Sequence, residues 1–311
     1  MTDLPRVTRI YQNHHLDSTR WDEYRPRAGD IIVTTAYKSG TTWTQQILYE
    51  LLYGRMDPKP GFRDVTPWPD ARFMPIPKEG LGAMIDNLPG RRFIKSHLPL
   101  DGLPYYEEVK YVIVGRDARD VFMSLFNHYH SYTDLAIEMM NAPGIVGEPL
   151  PRCPDDPRAL WKDWISRGWF EWETEGYPYW ANLGHTQSYW EFRHLPNFYF
   201  MHYNDMLADL ESSVRSLCGF LGESPDEDQI AGIVKETTFA NVKAAAIRDD
   251  AENENSRAIF SSGSTGFFFK GTNGRWRDVL TDEDLALYEA AKQRVLSDDC
   301  ARWLEEGGVV R

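Results

Sequence analysis

The stretch IIVTTAYKSGTTWTQQIL, residues 31–48, joins an apolar, β-branched segment to a helix-like pattern through a Lys-Ser-Gly-Thr-Thr turn. A strand that turns tightly into a helix leaves several backbone N–H groups unpaired at one point, and the helix dipole adds partial positive charge there. Gly40 permits the sharp turn and a close approach to a ligand, while Lys38 adds a full charge. The stretch therefore predicts an anion site at the end of a buried strand.

The order of residues in this turn differs from that of ordinary ATP- and GTP-binding loops. Those loops read Gly-x-x-x-x-Gly-Lys-Ser/Thr, with the lysine after the glycine, whereas Lys38 precedes Gly40 here. Thr41 and Thr42 supply hydroxyl donors, and the ring of Trp43 stands where it can stack on a base. The turn is therefore predicted to bind an anion as a P-loop does, but a different anion from that of ordinary ATP- and GTP-binding loops. The alternative is a well-capped strand–helix turn with Trp43 in the core.

Strand-like and helix-like segments alternate along the chain. Four apolar or aromatic runs have the composition of strands: 30–35, 92–95, 111–115 and 197–203. Three helical patterns follow strands: 41–53, 117–140 and 207–221. The alternation predicts an α/β fold, a P-loop-like three-layer arrangement with a central parallel sheet flanked by helices. Because we find neither a repeat nor a linker, we expect residues 1–311 to form a single domain.

Composition limits the partners of the protein. The 311 residues carry a net charge of −13, which repels nucleic acids and anionic membranes, so an anionic ligand needs a local cluster of donors. The three cysteines form no metal or redox pattern and favour a reducing compartment. The N-terminus lacks the apolar core of a signal peptide, and no apolar run is long enough to span a membrane. We therefore expect a cytoplasmic protein.

Two further segments place cations at strand ends. Lys95 and His97 lie two apart in FIKSHLPL (93–100), so in extended chain they point to the same side. Together they suggest a general base beside a stabilising charge, although a lone histidine there is more often structural. Arg116 ends the strand of YVIVGRDARDVFMSLFNHY (111–129), and Ser124 follows about two helical turns later. The alternative for Arg116 is a simple ion pair with Asp117 or Asp120.

These placements are typical of a ligand site at one sheet edge. Open α/β sheets bind ligands at the carboxyl ends of their strands, where four candidates map: Lys38, Lys95, His97 and Arg116. FFFKGTNGRW (267–276) adds a second glycine-rich, cationic loop. The Pro-rich segment 141–157 and the polar segment 248–266 are long enough to be lids or binding loops, with plain surface loops as the alternative.

From YKSGTTW, KSHLP and GRDARDVFMSLFNHY, in this order, the chain resembles the cytosolic, PAPS-dependent sulfotransferase family, as a bacterial-type member. The weaker matches YNDM, TTFANV and KGTNGRW extend the resemblance over residues 29–276. Enzymes of this family move a sulfuryl group from 3′-phosphoadenosine 5′-phosphosulfate (PAPS) to an acceptor and release 3′-phosphoadenosine 5′-phosphate (PAP). The anion would then be a phosphosulfate, and no metal is implied.

The resemblance assigns cofactor contacts to positions of this sequence. The 5′ end would be held by Lys38, Ser39, Gly40, Thr41 and Thr42. The adenine would be surrounded by Trp43, Tyr203, Thr237 and Phe239. The 3′-phosphate would be held by Arg116, Ser124, Lys270 and Gly271. His97 would accept the proton of an acceptor hydroxyl, with Lys38 and Lys95 stabilising charge during in-line transfer.

The chain departs from the family at two places. The closing loop of the family usually reads Arg-Lys-Gly, but Phe269 stands at the arginine position, so another cation such as Arg275 or Arg257 would have to substitute. The positions that correspond to the family's Lys…Thr-Val…Glu dimer segment are Arg277, Thr281, Asp282 and Ala286. The oligomeric state therefore stays open.

The acceptor pocket is the part of the site that the sequence determines least. Its candidate residues are Trp68, Phe73, Met74, Phe126 and Tyr132. They predict a small, hydrophobic or aromatic acceptor, and core packing is the alternative for each. Three rival functions would each need different features. A kinase needs a Gly-Lys loop and an acidic magnesium site that the sequence lacks, and a non-catalytic nucleotide binder does not need His97. A carbohydrate or glycolipid sulfotransferase would differ only in its acceptor.

Overall fold

The centre of the fold is a four-stranded parallel sheet in the order β2-β1-β3-β4. The computed structural model describes residues 4–74, 76–252, 258–261, 263 and 271–310, without the side chains of 249–252. The strands are β1 (Ile31–Thr35), β2 (Phe93–Ser96), β3 (Lys110–Gly115) and β4 (Phe198–His202). Each begins and ends within one residue of the predicted run, so the predicted strands and their parallel pairing are confirmed.

Helices cover the sheet, which explains why its strands read as apolar runs. All five residues of β1 are buried, as are five of the six in β3. The helices in the described residues are α1 (Thr41–Tyr53), α2 (Lys78–Asp86), α3 (Ala118–His130), α4 (Asp134–Met140), α5 (Pro157–Ser166), α6 (Leu183–Trp190), α7 (Tyr203–Ala208), α8 (Leu210–Leu221), α9 (Glu227–Glu236), α10 (Phe239–Glu252), α11 (Asp282–Val295) and α12 (Asp298–Glu306). The predicted α/β architecture is confirmed. Of these helices, none is both long and apolar enough to cross a membrane.

Two predicted helices are each divided in two. The pattern over 117–140 continues in phase, but the chain leaves the helix after α3 and restarts at α4, where the Thr133 hydroxyl accepts from the Ala136 N–H. The pattern over 207–221 is interrupted by Asp209, whose carboxylate accepts from the Ser212 N–H and begins α8. In both cases a capping side chain offers the backbone a competing partner.

The loop prediction for 248–266 was partly wrong, because α10 continues to Glu252. Residues 253–257, 262 and 264–266 of that segment lie outside the described residues. Residues 141–156 contain neither a helix nor a strand, and Pro157 starts α5, as suits a residue without an N–H to donate.

The sheet order brings three loops to one edge. β1 lies between β2 and β3, and all three are parallel. The loop from β1 to α1, His97 after β2 and Arg116 after β3 therefore leave the sheet side by side. Below this edge, the start of β2 is fixed by a buried ion pair between the Arg92 guanidinium and the Asp30 carboxylate.

Candidate active site

The loop between β1 and α1 presents helix N–H groups to a cleft. Gly40 precedes α1 with φ 121° and brings no side chain that could accept from them. A Cβ atom at Gly40 would lie 3.1 Å from Cδ2 of Tyr203, so the backbone approaches its neighbour closely. Among the described residues other than glycine, Lys38 is the one with a positive φ, 69°. Burial, then the charges of Lys95 and Arg116, lower the pKa of Lys38 to about 7.

His97 is held in one tautomer. Its ring Nδ1 lies 2.8 Å from the carbonyl oxygen of Thr35. A carbonyl only accepts, so Nδ1 carries the hydrogen and Nε2 of the neutral ring has a free lone pair. Burial, then the nearby charge of Lys95, place the pKa of His97 well below its usual range. The imidazole is therefore neutral near pH 7 and can accept a proton at Nε2.

Lys95 and His97 lie on the same side of their segment, as predicted. The Lys95 Nζ atom is 3.8 Å from the centre of the Trp68 ring, and the His97 ring meets the same indole edge-on at 5.1 Å. Burial lowers the pKa of Lys95 to about 8, while the charge of Asp70 raises it. Asp70 is fully buried and accepts hydrogen bonds from the His97 N–H and the Trp68 Nε1–H, at 3.0 and 2.9 Å. It thus fixes both neighbours.

Arg116 joins the cleft to the segment after Gly271. Its guanidinium donates to the side-chain oxygen of Asn273 at 2.8 and 3.2 Å and lies 4.0 Å from the centre of the Tyr203 ring. Burial, then the charge of Arg116, lower the pKa of Arg275, so the two guanidinium groups share one cationic region. Ser124, two turns along α3, lines the same cleft.

Aromatic rings enclose another part of the cleft. The Trp43 indole donates to the Thr237 carbonyl at 2.7 Å and meets the Tyr203 ring edge-on at 5.3 Å. Gly271, with φ 65°, packs so closely on Phe239 that a Cβ atom there would lie 2.6 Å from that ring. Trp43, Tyr203 and Phe239 all line this part of the cleft, and aromatic rings of this kind can pack against a nucleobase.

The structure brings most of the predicted cofactor residues to this one cleft. Those that line it are Lys38, Gly40, Thr41, Thr42, Trp43, Arg116, Ser124, Tyr203, Phe239 and Gly271. Ser39 and Thr237 are buried and do not line it. Lys270 lies outside the described residues, as do Phe269 and Arg257. Within the described chain, no group of three or more histidine, cysteine or acidic side chains is arranged to hold a metal ion.

The predicted acceptor residues divide into two groups. Trp68 contacts His97 and also Phe73, whose ring centre lies 5.4 Å away, and Tyr132 belongs to the same aromatic region through its contact with His15. Met74 is 38% exposed. Phe126 packs against Phe122 and His130 on its own helix. For Met74 and Phe126, contact with an acceptor stays a prediction.

A family model described as a sulfotransferase domain matches residues 28–299. The chain belongs to the PAPS-dependent sulfotransferase family. A glycolipid sulfotransferase of Mycobacterium bovis, strain BCG, is 28% identical to it over 96% of this chain and 94% of that protein. An amine sulfotransferase of Oryctolagus cuniculus is 28% identical over 89% and 84%.

Two solved structures share the fold of this sulfotransferase. A mouse sulfotransferase complexed with PAP has a TM-score of 0.65 and 19% identity, over 92% of this chain and 90% of that one. A retinol dehydratase in a complex with retinol and PAP has a TM-score of 0.68 and 22% identity, over 91% and 87%.

Sequence reasoning missed several residues around the site of this sulfotransferase. They include Tyr37, Asp70, Trp180, Asn273 and the histidines His14, His15 and His128. The His-His pair in a short N-terminal segment was a usable signal, because paired histidines are rare enough to suggest a role. Nothing near Asp70 or Asn273 in the sequence indicated their contacts with His97 and Arg116, which lie 27 and 157 residues away along the chain.

Proposed function

We propose that this chain transfers the sulfuryl group of PAPS to a hydroxyl group of a small, hydrophobic or aromatic acceptor. The convergence of Lys38, Lys95, His97 and Arg116 on one cleft carries the proposal. Two phosphate-binding regions flank a neutral imidazole, a combination that nucleotide binding alone does not require. The match of residues 28–299 to the sulfotransferase domain supports a single unit.

The residues present fit such a donor. The unpaired N–H groups at the start of α1, with Lys38, would hold its 5′ end. The part of the cleft beside Trp43 and Phe239 would hold the adenine, and Arg116 would hold the 3′-phosphate with Ser124. The presence of PAP in two solved structures of this fold supports a site for such a nucleotide. We assign Arg275 as the second guanidinium at the 3′-phosphate, because it lines the cleft near Arg116.

The mechanism uses His97 as the general base. Nε2 would take the proton of the acceptor hydroxyl as its oxygen attacks, while Nδ1 keeps its hydrogen bond to Thr35. PAPS supplies the sulfuryl group, and PAP is the product. Lys38 and Lys95 would stabilise the charge that grows during in-line transfer, as cations do in phosphoryl transfer.

The acceptor would lie against the aromatic side of His97. Trp68 and Phe73 supply apolar surface there, which favours a phenol or a hydrophobic alcohol. The similarity to a glycolipid sulfotransferase keeps a lipid-linked hydroxyl within the same class of acceptors.

Replacing His97 tests this proposal. His97→Asn should lower kcat for sulfuryl transfer from PAPS to a phenol by about 10²–10⁴-fold, because the general base is lost. PAP affinity, measured by calorimetry, should change little. His194→Asn, at an exposed histidine, is the matched control and should leave both quantities unchanged. Parallel loss of turnover and PAP affinity in His97→Asn would contradict the catalytic role and make His97 structural.

The pH dependence of kcat/KM offers a second test of the same base. The pKa of His97 lies below the usual 6.5 because of burial and the charge of Lys95. The base is lost only when pH falls through this lowered pKa, so we expect the acid limb of the profile well below pH 6.5. An acid limb at or above pH 6.5 that His97→Asn removes would contradict the assigned environment.

A further inference from the structure

A chain of buried histidine and tyrosine side chains lies beside the reaction centre and has no role in the mechanism above. We call it the His–Tyr chain; its members are His14, His15, Tyr132, His128 and Tyr37. Successive members are in hydrogen-bond contact, and the chain begins at the Pro178 carbonyl. All three histidines are at most 3% exposed.

The histidines of the His–Tyr chain are neutral. Burial lowers the pKa of His14 to about 3 and places those of His15 and His128 well below 6.5. The nearby cations Arg72, Lys38 and Lys95 act in the same direction. Each neutral imidazole has one donor and one acceptor nitrogen.

The carbonyl at one end sets the direction of the first hydrogen bonds. Pro178 O only accepts, so His14 donates from Nε2 at 2.8 Å and must accept at Nδ1. His15 therefore donates from Nδ1, at 2.5 Å, and accepts at Nε2. The atom that faces this acceptor is the hydroxyl of Tyr132, at 3.4 Å, so the Tyr132 hydrogen points toward His15.

One arrangement that satisfies the remaining contacts follows from this direction. Tyr132 has used its hydrogen, so its oxygen accepts from Nε2–H of His128 at 3.0 Å. Because His128 Nε2 carries a hydrogen, the oxygen of Tyr37, 2.8 Å away, accepts from it too. If the His128 hydrogen were on Nδ1 instead, the lone pair of Nε2 would face a lone pair of the Tyr132 oxygen, and the two would repel each other. Tyr37 thus accepts from His128, and this contact does not use the hydroxyl hydrogen of Tyr37.

Tyr37 is the member of the His–Tyr chain that lines the cleft. Its ring meets the catalytic imidazole of His97 edge-on at 5.0 Å and stacks on Tyr179 at 5.3 Å, which fixes the ring plane. In the structure the Tyr37 hydroxyl is in hydrogen-bond contact with that of Tyr132. A hydroxyl hydrogen rotates to suit its partner, so an oxygen in the cleft can take it over.

We propose that Tyr37, oriented by the His–Tyr chain, donates a hydrogen bond to a second oxygen of the acceptor, distinct from the hydroxyl that is sulfated. This proposal rests on the proposed function and sharpens it: the preferred acceptors are aromatic or hydrophobic molecules with two oxygens, such as diols. A purely apolar pocket would not discriminate between such a molecule and its monohydroxy analogue, whereas a buried donor does.

The test compares 2-naphthol with 2,3-, 2,6- and 2,7-dihydroxynaphthalene. The wild type should favour at least one dihydroxy isomer over 2-naphthol, in kcat/KM and in affinity for the PAP-bound protein measured by calorimetry. Tyr37→Phe should reduce that preference by about three- to tenfold, the loss expected for one hydrogen bond, and should change kcat/KM for 2-naphthol by a smaller factor. Tyr132→Phe should reduce it partly, because it interrupts the chain.

Tyr105→Phe is the matched control. The Tyr105 hydroxyl also donates one hydrogen bond, to Asn197 beside the start of β3, and its loss should not change the preference. Equal losses for all acceptors in Tyr37→Phe, or no preference for any diol in either assay, would overturn the proposal. A retained diol preference in binding without any sulfuryl transfer would instead contradict the proposed function alone.

Discussion

Lys38 combines a left-handed backbone with a buried amine whose charged form a bound anion would stabilise. Its backbone lies in the left-handed region, φ 69°, which costs a non-glycine residue about 1–3 kcal/mol. Its amine is buried near Lys95 and Arg116, and these surroundings lower its pKa to about 7. An anion in the cleft offsets both the burial and the repulsion of the ammonium group, so Lys38 is arranged for a ligand rather than for stability.

PAP binding should therefore take up protons. At pH 8, much of Lys38 is neutral in the free protein, since its pKa is about 7, and Lys95, with a pKa of about 8, is half charged. The bound phosphates favour the charged forms, so affinity should fall by up to about tenfold per pH unit above these values for each lysine that must be protonated. Calorimetry at pH 8 in two buffers of different ionisation enthalpy measures the uptake.

Lys38→Met supplies the control for this measurement. It should weaken PAP binding and reduce the proton uptake, leaving the part due to Lys95. Binding of PAP to the wild type at pH 8 without any proton uptake would show that both lysines are already charged, and would contradict the lowered pKa values.

The proximity of Lys95 and His97 could be predicted because its signal is local. Lys95 and His97 are two residues apart at a strand end, and strand geometry alone places them together. Tyr37 and His128 are 91 residues apart, and neither has a neighbour in sequence that indicates the other. Contacts of this kind depend on the folded chain, so the His–Tyr chain was out of reach of sequence reasoning.

At the scale of elements, the turn between β1 and α1 depends on Gly40. Gly40→Ala should lower the free energy of unfolding by about 1–3 kcal/mol, because φ 121° is unfavourable for alanine. The new methyl group would also lie 3.1 Å from Tyr203, beside the Trp43 indole. We expect PAP affinity to fall as well, as measured by calorimetry on the folded variant.

Gly232→Ala is the matched control for the glycine substitution. Gly232 lies within α9, and an added Cβ would meet no atom within 4 Å. Alanine is favoured over glycine inside a helix, so this variant should gain about 0.5–1 kcal/mol and bind PAP normally. Unchanged stability and affinity in Gly40→Ala would show that the turn tolerates a side chain, against the geometry described here.

The elements themselves were predictable to different degrees. The four strands were predictable, because buried parallel strands appear in a sequence as short apolar runs that are easily recognised. The breaks at Thr133 and Asp209 were not, because the apolar periodicity continues through both positions while the caps act through single side chains. Helix α10 was taken for a loop in its last turn, since its polar composition from Arg248 resembles a surface segment.

At the scale of the whole molecule, a chain with a net charge of −13 gathers cations in one cleft. The family's fold and the 5′ loop followed from motifs, but the position of Arg275 required the packing of the segment after Gly271 onto α3. There the Gly274 N–H donates to Asp120 at 2.6 Å and Asn273 accepts from Arg116. Such long-range contacts determine which residues line this side of the cleft, and no local sequence pattern indicates them.

The stability of the molecule should depend on the buried pair below the cleft. Arg92→Met leaves the Asp30 carboxylate buried without its cation and should cost about 3–5 kcal/mol of unfolding free energy in urea. Arg215→Met, at exposed ion pairs with Glu211 and Glu227, should change the free energy of unfolding far less, because solvent screens these charges. Similar costs for the two variants would mean that Asp30 finds other partners or solvent.

The most direct test of the central claim is a calorimetric titration of the protein with PAP, 5′-AMP and Mg·ATP. The cleft has cations for both a 5′ and a 3′ phosphate, so PAP should bind much more tightly than 5′-AMP, and Arg116→Met should remove most of that difference. Mg·ATP should bind weakly. Equal affinity for PAP and 5′-AMP, or tight binding of Mg·ATP with none of PAP, would contradict the account of the cleft as a PAPS site.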